Sequence, residues 1–380
     1  MKKILGTLLC AFCLVSSLSA YEWGGIFKNK TTVKTIDFEN AGVKQADTLF
    51  LWYSTPFGNS GFNFSAEGLY GITYNKSGNT LNQIIDIDLL KVSKVIKRDT
   101  FTASMNFGRF NFADESKTIF NQNMDGIAAK FAFKKIAYKA AIGYTGLLNE
   151  KNVSILSPSS LAYGTDKQFY SLAYPFVFVD AGVTFNNLFA AQNLKFETMA
   201  FIDLGSAETN RFYFETILSG PIVKTWTYNL TFIAEALNFD EFAFYAAFNN
   251  YVSFGKNMYI KAGVEYASGK SDSSITNFST ISSRTVCNSY TLHETTGIIL
   301  PGVQFVHLGK NNYWGIDAKF VVDSDSGTFQ SKGLETDIIF VYNIFSDLQL
   351  GVNLFSFIQT DGSSANNSNY GADLKLTFTF

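Results

Sequence analysis

The strongest constraint on this chain is a two-residue alternation that recurs along most of its length. Successive side chains of a β-strand point to opposite faces, so such a pattern marks sheets with one apolar and one polar face. Phe62, Phe64, Ala66, Gly68, Tyr70, Ile72 and Tyr74 share a face, against Asn63, Ser65, Glu67 and Thr73. Phe101, Ala103, Met105 and Phe107 alternate with Thr102, Ser104 and Asn106, and Ile127, Ala129, Phe131 and Phe133 with Lys130 and Lys134. Similar segments begin near Ile136, Leu194, Trp226, Ile260, Trp314 and Leu334. Charge keeps to one face, and large aromatics recur near segment ends, as an interfacial girdle requires. The segments run to about ten or twelve residues, long enough to cross a bilayer at a tilt. Downstream of the first twenty residues no run of eighteen apolar residues occurs, so no transmembrane helix is on offer. Lipid then leaves a closed barrel as the spanning structure, because only helices and barrels satisfy every backbone group there.

Both ends fit that reading. Residues 1–20 open with Lys2 and Lys3, run apolar from Ile4 to Val15 and finish Ser16, Ser17, Leu18, Ser19, Ala20, the layout of a secretory signal peptide. Cleavage after Ala20 leaves Leu18 at −3, and cleavage after Ser19 puts Ser17 there. Cys10 and Cys13 follow Leu9 and Phe12 rather than small residues, which disfavours a lipoprotein. The expected organisation is a signal at 1–20 and one barrel domain at 21–380. Beyond the signal only Cys287 remains, so no internal disulfide staples the fold. The last segment, Tyr370 to Phe380, alternates without error and closes on an aromatic. It resembles the C-terminal strand of bacterial outer-membrane β-barrels. That resemblance implies a Gram-negative-type outer membrane, with Phe378 and Phe380 in the signal read by the barrel-assembly machinery.

Phe, Tyr and Trp number 39, 19 and 4, whereas Pro numbers 5, which suits long paired strands. A net charge of −2 excludes a basic nucleic-acid surface. Barrels of this kind set short turns and both termini on the periplasmic side and long loops outside. Counting back from Phe380 gives eighteen, with sixteen the alternative, since the first two, near 30–38 and 46–54, are weakly patterned. Eighteen requires residues 167–186 to form one strand that changes face at a β-bulge on Pro175.

Sixteen to eighteen strands leave an aqueous channel. The residues expected to face it are acidic at Glu67, Asp86, Asp88, Asp180, Glu197, Asp203, Glu215, Glu235, Glu265, Asp317, Glu335, Asp337 and Asp373. They are basic at Lys130, Lys139, Lys195, Arg211, Lys261, Lys319 and Lys375. A dry core could not hold so many charges, whereas a hydrated lumen can. Thirteen acids against seven bases point to a mild cation preference. Segments 110–124, 147–166 and 269–295 are each long enough to fold inward and narrow a pore. The first carries Asp114 and Glu115.

The stretch Asn106-Phe107-Gly108-Arg109-Phe110, followed after a loop by Asn123-Met124-Asp125-Gly126, resembles the alginate-export-like porins. That resemblance covers about twenty residues and implies an eighteen-stranded barrel with Arg109 at the lumen mouth. The arginine-rich lumen of the export member has no counterpart here, so polyuronate passage is not expected.

The expectation is a porin for passive diffusion of small hydrophilic solutes, monomeric or trimeric, set in outer-membrane lipid. No cofactor or metal is expected. Only His293 and His307 are available as histidines, and no G-x-S-x-G elbow occurs, so catalysis is not expected. The segment Tyr21–Asn29 is too short for the plug a carrier of hydrophobic solutes would need. A surface adhesin or a structural barrel without channel activity is the alternative, and a soluble secreted all-β protein is a further one.

Overall fold

A computed structural model describes residues 21–36, 39–156, 169–205, 209–270, 275–284, 296–324, 329–360 and 368–380. The residues expected to form a signal peptide, and with them Cys287 and His293, lie outside this set. Eighteen antiparallel strands form one sheet: β1 (Glu22–Ile36), β2 (Glu39–Pro56), β3 (Phe62–Asn75), β4 (Thr80–Lys97), β5 (Phe101–Ala113), β6 (Asn121–Phe133), β7 (Ile136–Tyr144), β8 (Phe176–Phe185), β9 (Asn193–Asp203), β10 (Arg211–Val223), β11 (Trp226–Leu237), β12 (Glu241–Phe254), β13 (Met258–Ala267), β14 (Ile298–Leu308), β15 (Asn312–Asp323), β16 (Gln330–Asn343), β17 (Leu348–Gln359) and β18 (Asn369–Thr379). Each strand pairs with the next. β18 pairs with β1 from Ile26↔Thr379 to Ile36↔Asn369, which closes the barrel and leaves no free edge.

The strand number is the expected one, but two of its parts arise differently. β1 and β2 are longer than the expected 30–38 and 46–54, and Tyr21–Asn29 is not a segment preceding the barrel, since β1 starts at Glu22. Their alternation is hard to see because Asn29 and Thr31 on one face stand beside Lys28 and Lys30 on the other. There is also no bulge on Pro175. β8 begins at Phe176, and Tyr170–Tyr174 belongs to the preceding connection, where Leu172 bridges Asn149. Proline, which has no N–H to give a ladder, stands just before the strand rather than within it.

The faces separate as the alternation requires. Phe131, Phe232 and Phe320 are 37%, 46% and 36% exposed, on the outside, while Glu197 is buried at 1%. At the end where β1 starts and β18 finishes, Phe378 and Phe380 stack at 5.8 Å on the outer face. Phe380 exchanges backbone hydrogen bonds with Gly25 of β1 (2.9 and 3.0 Å).

The interior is not uniformly polar. Phe112, Phe120, Phe178, Phe201, Tyr213 and Phe278 are buried in one cluster within the barrel. Rings of Phe112, Phe120, Phe178 and Phe201 lie 5.1–6.3 Å apart.

Candidate functional site: a constriction built from three inward connections

The constriction starts where the wall splits. The β4–β5 ladder runs from Lys97↔Thr102 to Leu90↔Arg109 and stops, while β5 continues alone with β6 to Ala113↔Asn121. Gly108 makes the departure, with φ +104°, and a Cβ there would collide with the Leu90 carbonyl oxygen. Freed from β4, the β5–β6 hairpin carries Phe110, Phe112, Phe120 and Met124 into the buried interior.

The connection between β7 and β8 fills the gap in the wall. The Ile85 N–H donates to the Phe169 carbonyl (3.5 Å), and Asn149 Nδ2 donates to the Ile85 carbonyl (3.1 Å). Arg109 ties the seam together. Its Nε and Nη2 donate to Asp125 (2.9 and 2.8 Å), Nη1 to the Ile87 carbonyl (3.1 Å) and Nη2 to the Leu147 carbonyl (2.8 Å). Asp86 lies 3.5 Å from Nη1. Arg109 therefore occupies the split rather than the lumen mouth, because the ladder ends at that residue. Asp88 belongs to the same seam, accepting from Asn123 (3.0 Å) and Asn152 (2.8 Å), and Asn152 also donates to Asp86 (2.7 Å).

The hairpin tip is shaped by Asp114. One carboxylate oxygen accepts the N–H groups of Ile119 (3.0 Å) and Phe120 (2.7 Å). The other accepts Thr118 N–H (3.0 Å) and the Ser116 hydroxyl (2.7 Å). Burial pushes this carboxyl above its ordinary range, against the pull of those donors. Glu115 reaches the facing wall, where Lys195 Nζ donates to it at 2.6 Å, and its own N–H donates to Glu197 (2.8 Å). Burial opposes ionisation of Glu115, but the Lys195 contact outweighs it and holds the carboxyl below its usual range. Lys139 lies 2.7 Å from Glu197 and 3.9 Å from both Asp180 and Glu115. Glu215 is buried beside them on β10 at 1% exposure.

A second inward segment, 275–284, lies on the wall next to this cluster. Glu235 accepts from the N–H (2.8 Å) and hydroxyl (2.5 Å) of Ser279, and Arg211 donates to the Thr280 carbonyl (3.3 Å). Phe278 stacks on Tyr245 at 5.5 Å. Arg284 pairs with Glu265, and despite burial the contact raises the guanidinium pKa.

The inward segments then join. The Ile119 carbonyl accepts the N–H groups of Ile281 and Ser282 (2.9 and 3.2 Å), and the Ser282 hydroxyl accepts Asn121 N–H (2.8 Å). Leu156 N–H donates to the Ile281 carbonyl (2.8 Å), and Ser283 N–H to the Ser154 carbonyl (2.7 Å). All three segments singled out by length thus contribute described residues to one structure.

Beside it lies a cavity of about 270 Å³. Its floor is the paired Gly263 and Gly302, and around it stand Asn249, Lys261, Glu265, Arg284, Gln304, Asp317 and Lys319. Lys319 pairs with Asp317 at 2.9 Å.

The other expected lumen residues distribute as follows. Glu67 is half-buried on β3, Lys130 is exposed on β6, and Glu335 and Asp337 are buried on β16. Asp180, Glu197, Glu215 and Glu235 are removed from water, because the inward segments fold over them. Asp203 accepts from the Tyr174 hydroxyl (3.1 Å), and Asp373 pairs with Lys30 (2.9 Å). Lys28, Lys34, Lys44 and Lys375 are exposed on the inner side of β1, β2 and β18. Apart from Lys375 these do not stand out in sequence: Lys28 and Lys44 precede the expected strands, and Lys34 lies in the first among polar neighbours on both faces. The regular Lys28-x-Lys30 and Lys34 spacing was the available signal. His307 stacks on Trp314 of the adjacent strand at 5.6 Å. Among the described residues no group of three His, Cys, Asp or Glu side chains is arranged to hold a metal ion.

No protein-family model matches the chain, and no curated protein matches its sequence. Solved structures do. Pseudomonas aeruginosa OpdQ aligns over 96% of this chain and 99% of its own, with a TM-score of 0.63 and 11% identity. OpdK from the same organism, solved with vanillate, covers 94% and 98%, with a TM-score of 0.61 and 13% identity. Pseudomonas aeruginosa OprD covers 95% of each chain, with a TM-score of 0.59 and 9% identity. The fold is that of the outer-membrane β-barrel porins. What is shared is the whole closed barrel, at identities that carry no residue correspondence.

Proposed function

We propose that this protein is an outer-membrane porin through which small hydrophilic solutes diffuse passively along a narrowed, water-filled lumen. The observation that carries this reading is the constriction: three connections folded inward and hydrogen-bonded to one another beside an open, charged recess. An adhesin or a structural barrel has no use for a pore narrowed from within. The inward charges would line this path, and Phe378 and Phe380 would present the assembly signal. The reading is of a channel and not of an enzyme.

Selectivity follows from which charges meet water. The acid-rich count favours cations, but the acids covered by the inward segments are withdrawn from the path and several face lysines. Lys28, Lys34, Lys44 and Lys375 stand exposed on the opposite wall. We therefore read the channel as weakly anion-preferring in place of mildly cation-preferring. Vanillate, found with OpdK, is a small aromatic carboxylate. The glycine-floored recess offers such an anion Lys261, beside the Lys319–Asp317 and Arg284–Glu265 pairs.

Purified protein in a planar bilayer should conduct in defined steps, with a reversal potential in a KCl gradient displaced toward chloride. A silent barrel that still migrates as a folded, heat-modifiable species would favour the adhesin or structural reading.

A further inference from the structure

Among the described residues, the outward face of β1 and β2 carries a carboxylate. On β1 and β2 the outward residues are odd-numbered, as the exposed Trp23, Phe27 and Leu51 show. Asn29 and Asp47 therefore face outward as a cross-strand pair, with the Asn29 amide donating to Asp47 at 2.5 Å. The Gln45 amide adds a longer contact to the same carboxylate, at 3.5 Å. Elsewhere among the described outward strand side chains, the carboxylate is Asp125, which Arg109 covers.

The pair is not at a rim. Trp23 pairs with Tyr53 at the end where β1 starts, and Asn29 and Asp47 each lie six positions further along. At about 3.3 Å per residue and a tilt near 40°, that is roughly 15 Å into an apolar band about 25 Å tall. A carboxylate facing acyl chains there is costly, and polar side chains inside a membrane are usually paired. The two amides of its own strand pair leave acceptor sites of the carboxylate pointing outward, and acyl chains supply no donor. Above Asn29 the outward residues of β1 are Thr31, Val33 and Thr35, none of them aromatic. Small residues let two surfaces approach closely where packing, not the hydrophobic effect, drives association in lipid.

We propose that this strip is the contact between two copies of this chain in the membrane. It carries acceptor and donors together: the Asp47 carboxylate, the Gln45 amide and the Thr31 hydroxyl. A surface holding both is self-complementary, so a copy turned about an axis along the membrane normal presents donors to Asp47 and receives the same in return. The inference rests on the exterior facing lipid, and it is independent of whether the lumen conducts.

The test is the mass of the particle in lipid nanodiscs. The unaltered protein should be an oligomer. The Gln45→Leu/Asp47→Leu double variant should fall to a single barrel, about a twofold or larger loss of mass. It should keep heat-modifiable migration and the same conductance step per barrel, since the changes make the belt more apolar. In an otherwise unaltered chain with Cys287→Ser, Gln45→Cys should be joined to itself by a short thiol-reactive cross-linker in native membranes. A single-barrel mass for the unaltered protein overturns the proposal, as does an unchanged mass for the double variant. Cross-linking of Gln45→Cys to a different protein, or to nothing, does so too. Conducting single barrels would sink this proposal and leave the channel standing; silent oligomers would do the reverse.

Discussion

Gly108 is where the wall opens, and its backbone makes it irreplaceable. At φ +104° an L-residue is strained, and its Cβ would meet the Leu90 carbonyl. Gly108→Ala should destabilise the barrel by about 1–3 kcal/mol. The check is the temperature at which heat-modifiable migration is lost, against Gly351→Ala as control, where the nearest atom to a new Cβ lies at 3.5 Å. Glu115 is the residue that anchors the tip. Glu115→Gln removes a charge-assisted hydrogen bond to Lys195, worth about 1–3 kcal/mol, and should make single-channel current noisier at neutral pH. The sign with pH follows from a depressed carboxyl. Its contribution is present above the ordinary glutamate range and is lost as pH falls through the lower folded value. Acidification below about pH 4.3 should therefore raise the noise of the unaltered protein and leave Glu115→Gln unchanged. The same noise in both down to that pH would contradict the anchor. In sequence Gly108 and Asp125-Gly126 look like turn residues, whereas they lie paired inside β5 and β6. That Arg109 would fill a gap could not be read there, because the gap exists only once β4 and β5 part.

At the scale of elements, alternation was legible wherever one face is purely apolar, as in β3, β11 and β15. It failed on β1, whose outward Asn29 and Thr31 are as polar as its inward lysines. It also misled at Tyr170–Tyr174, which alternates but bridges Asn149 instead of continuing β8. The inward connections could be picked out by length, but their convergence could not, since the bonds joining Ile119 to Ile281 span more than 150 residues of sequence. Replacing 114–119 by a short Gly/Ser linker removes the Ile119 carbonyl on which 275–284 is hung. Conductance should rise by about twofold or more, with the unit step measured in the same salt. An unchanged step would mean that the pore is narrowed elsewhere.

Over the whole molecule, an apolar exterior surrounds an interior divided in two. On one side Phe112, Phe120, Phe178 and Phe201 fill the barrel with packed rings over paired charges. On the other, lysines and the glycine-floored recess remain open. The alternation announced the exterior. It could not announce the packed half, because inward aromatics on β8–β10 look the same in sequence whether they meet water or each other. The central claim is that the outer face of the strands meets lipid and that the inner face, where the inward segments leave it open, meets an enclosed column of water. Nitroxide labels placed singly at 316 through 320 of β15, in lipid vesicles, test it most directly. Labels at 316, 318 and 320 should be relaxed by oxygen, which concentrates in lipid, and those at 317 and 319 by a water-soluble nickel chelate. Equal chelate accessibility at all five positions, or the opposite alternation, would contradict it.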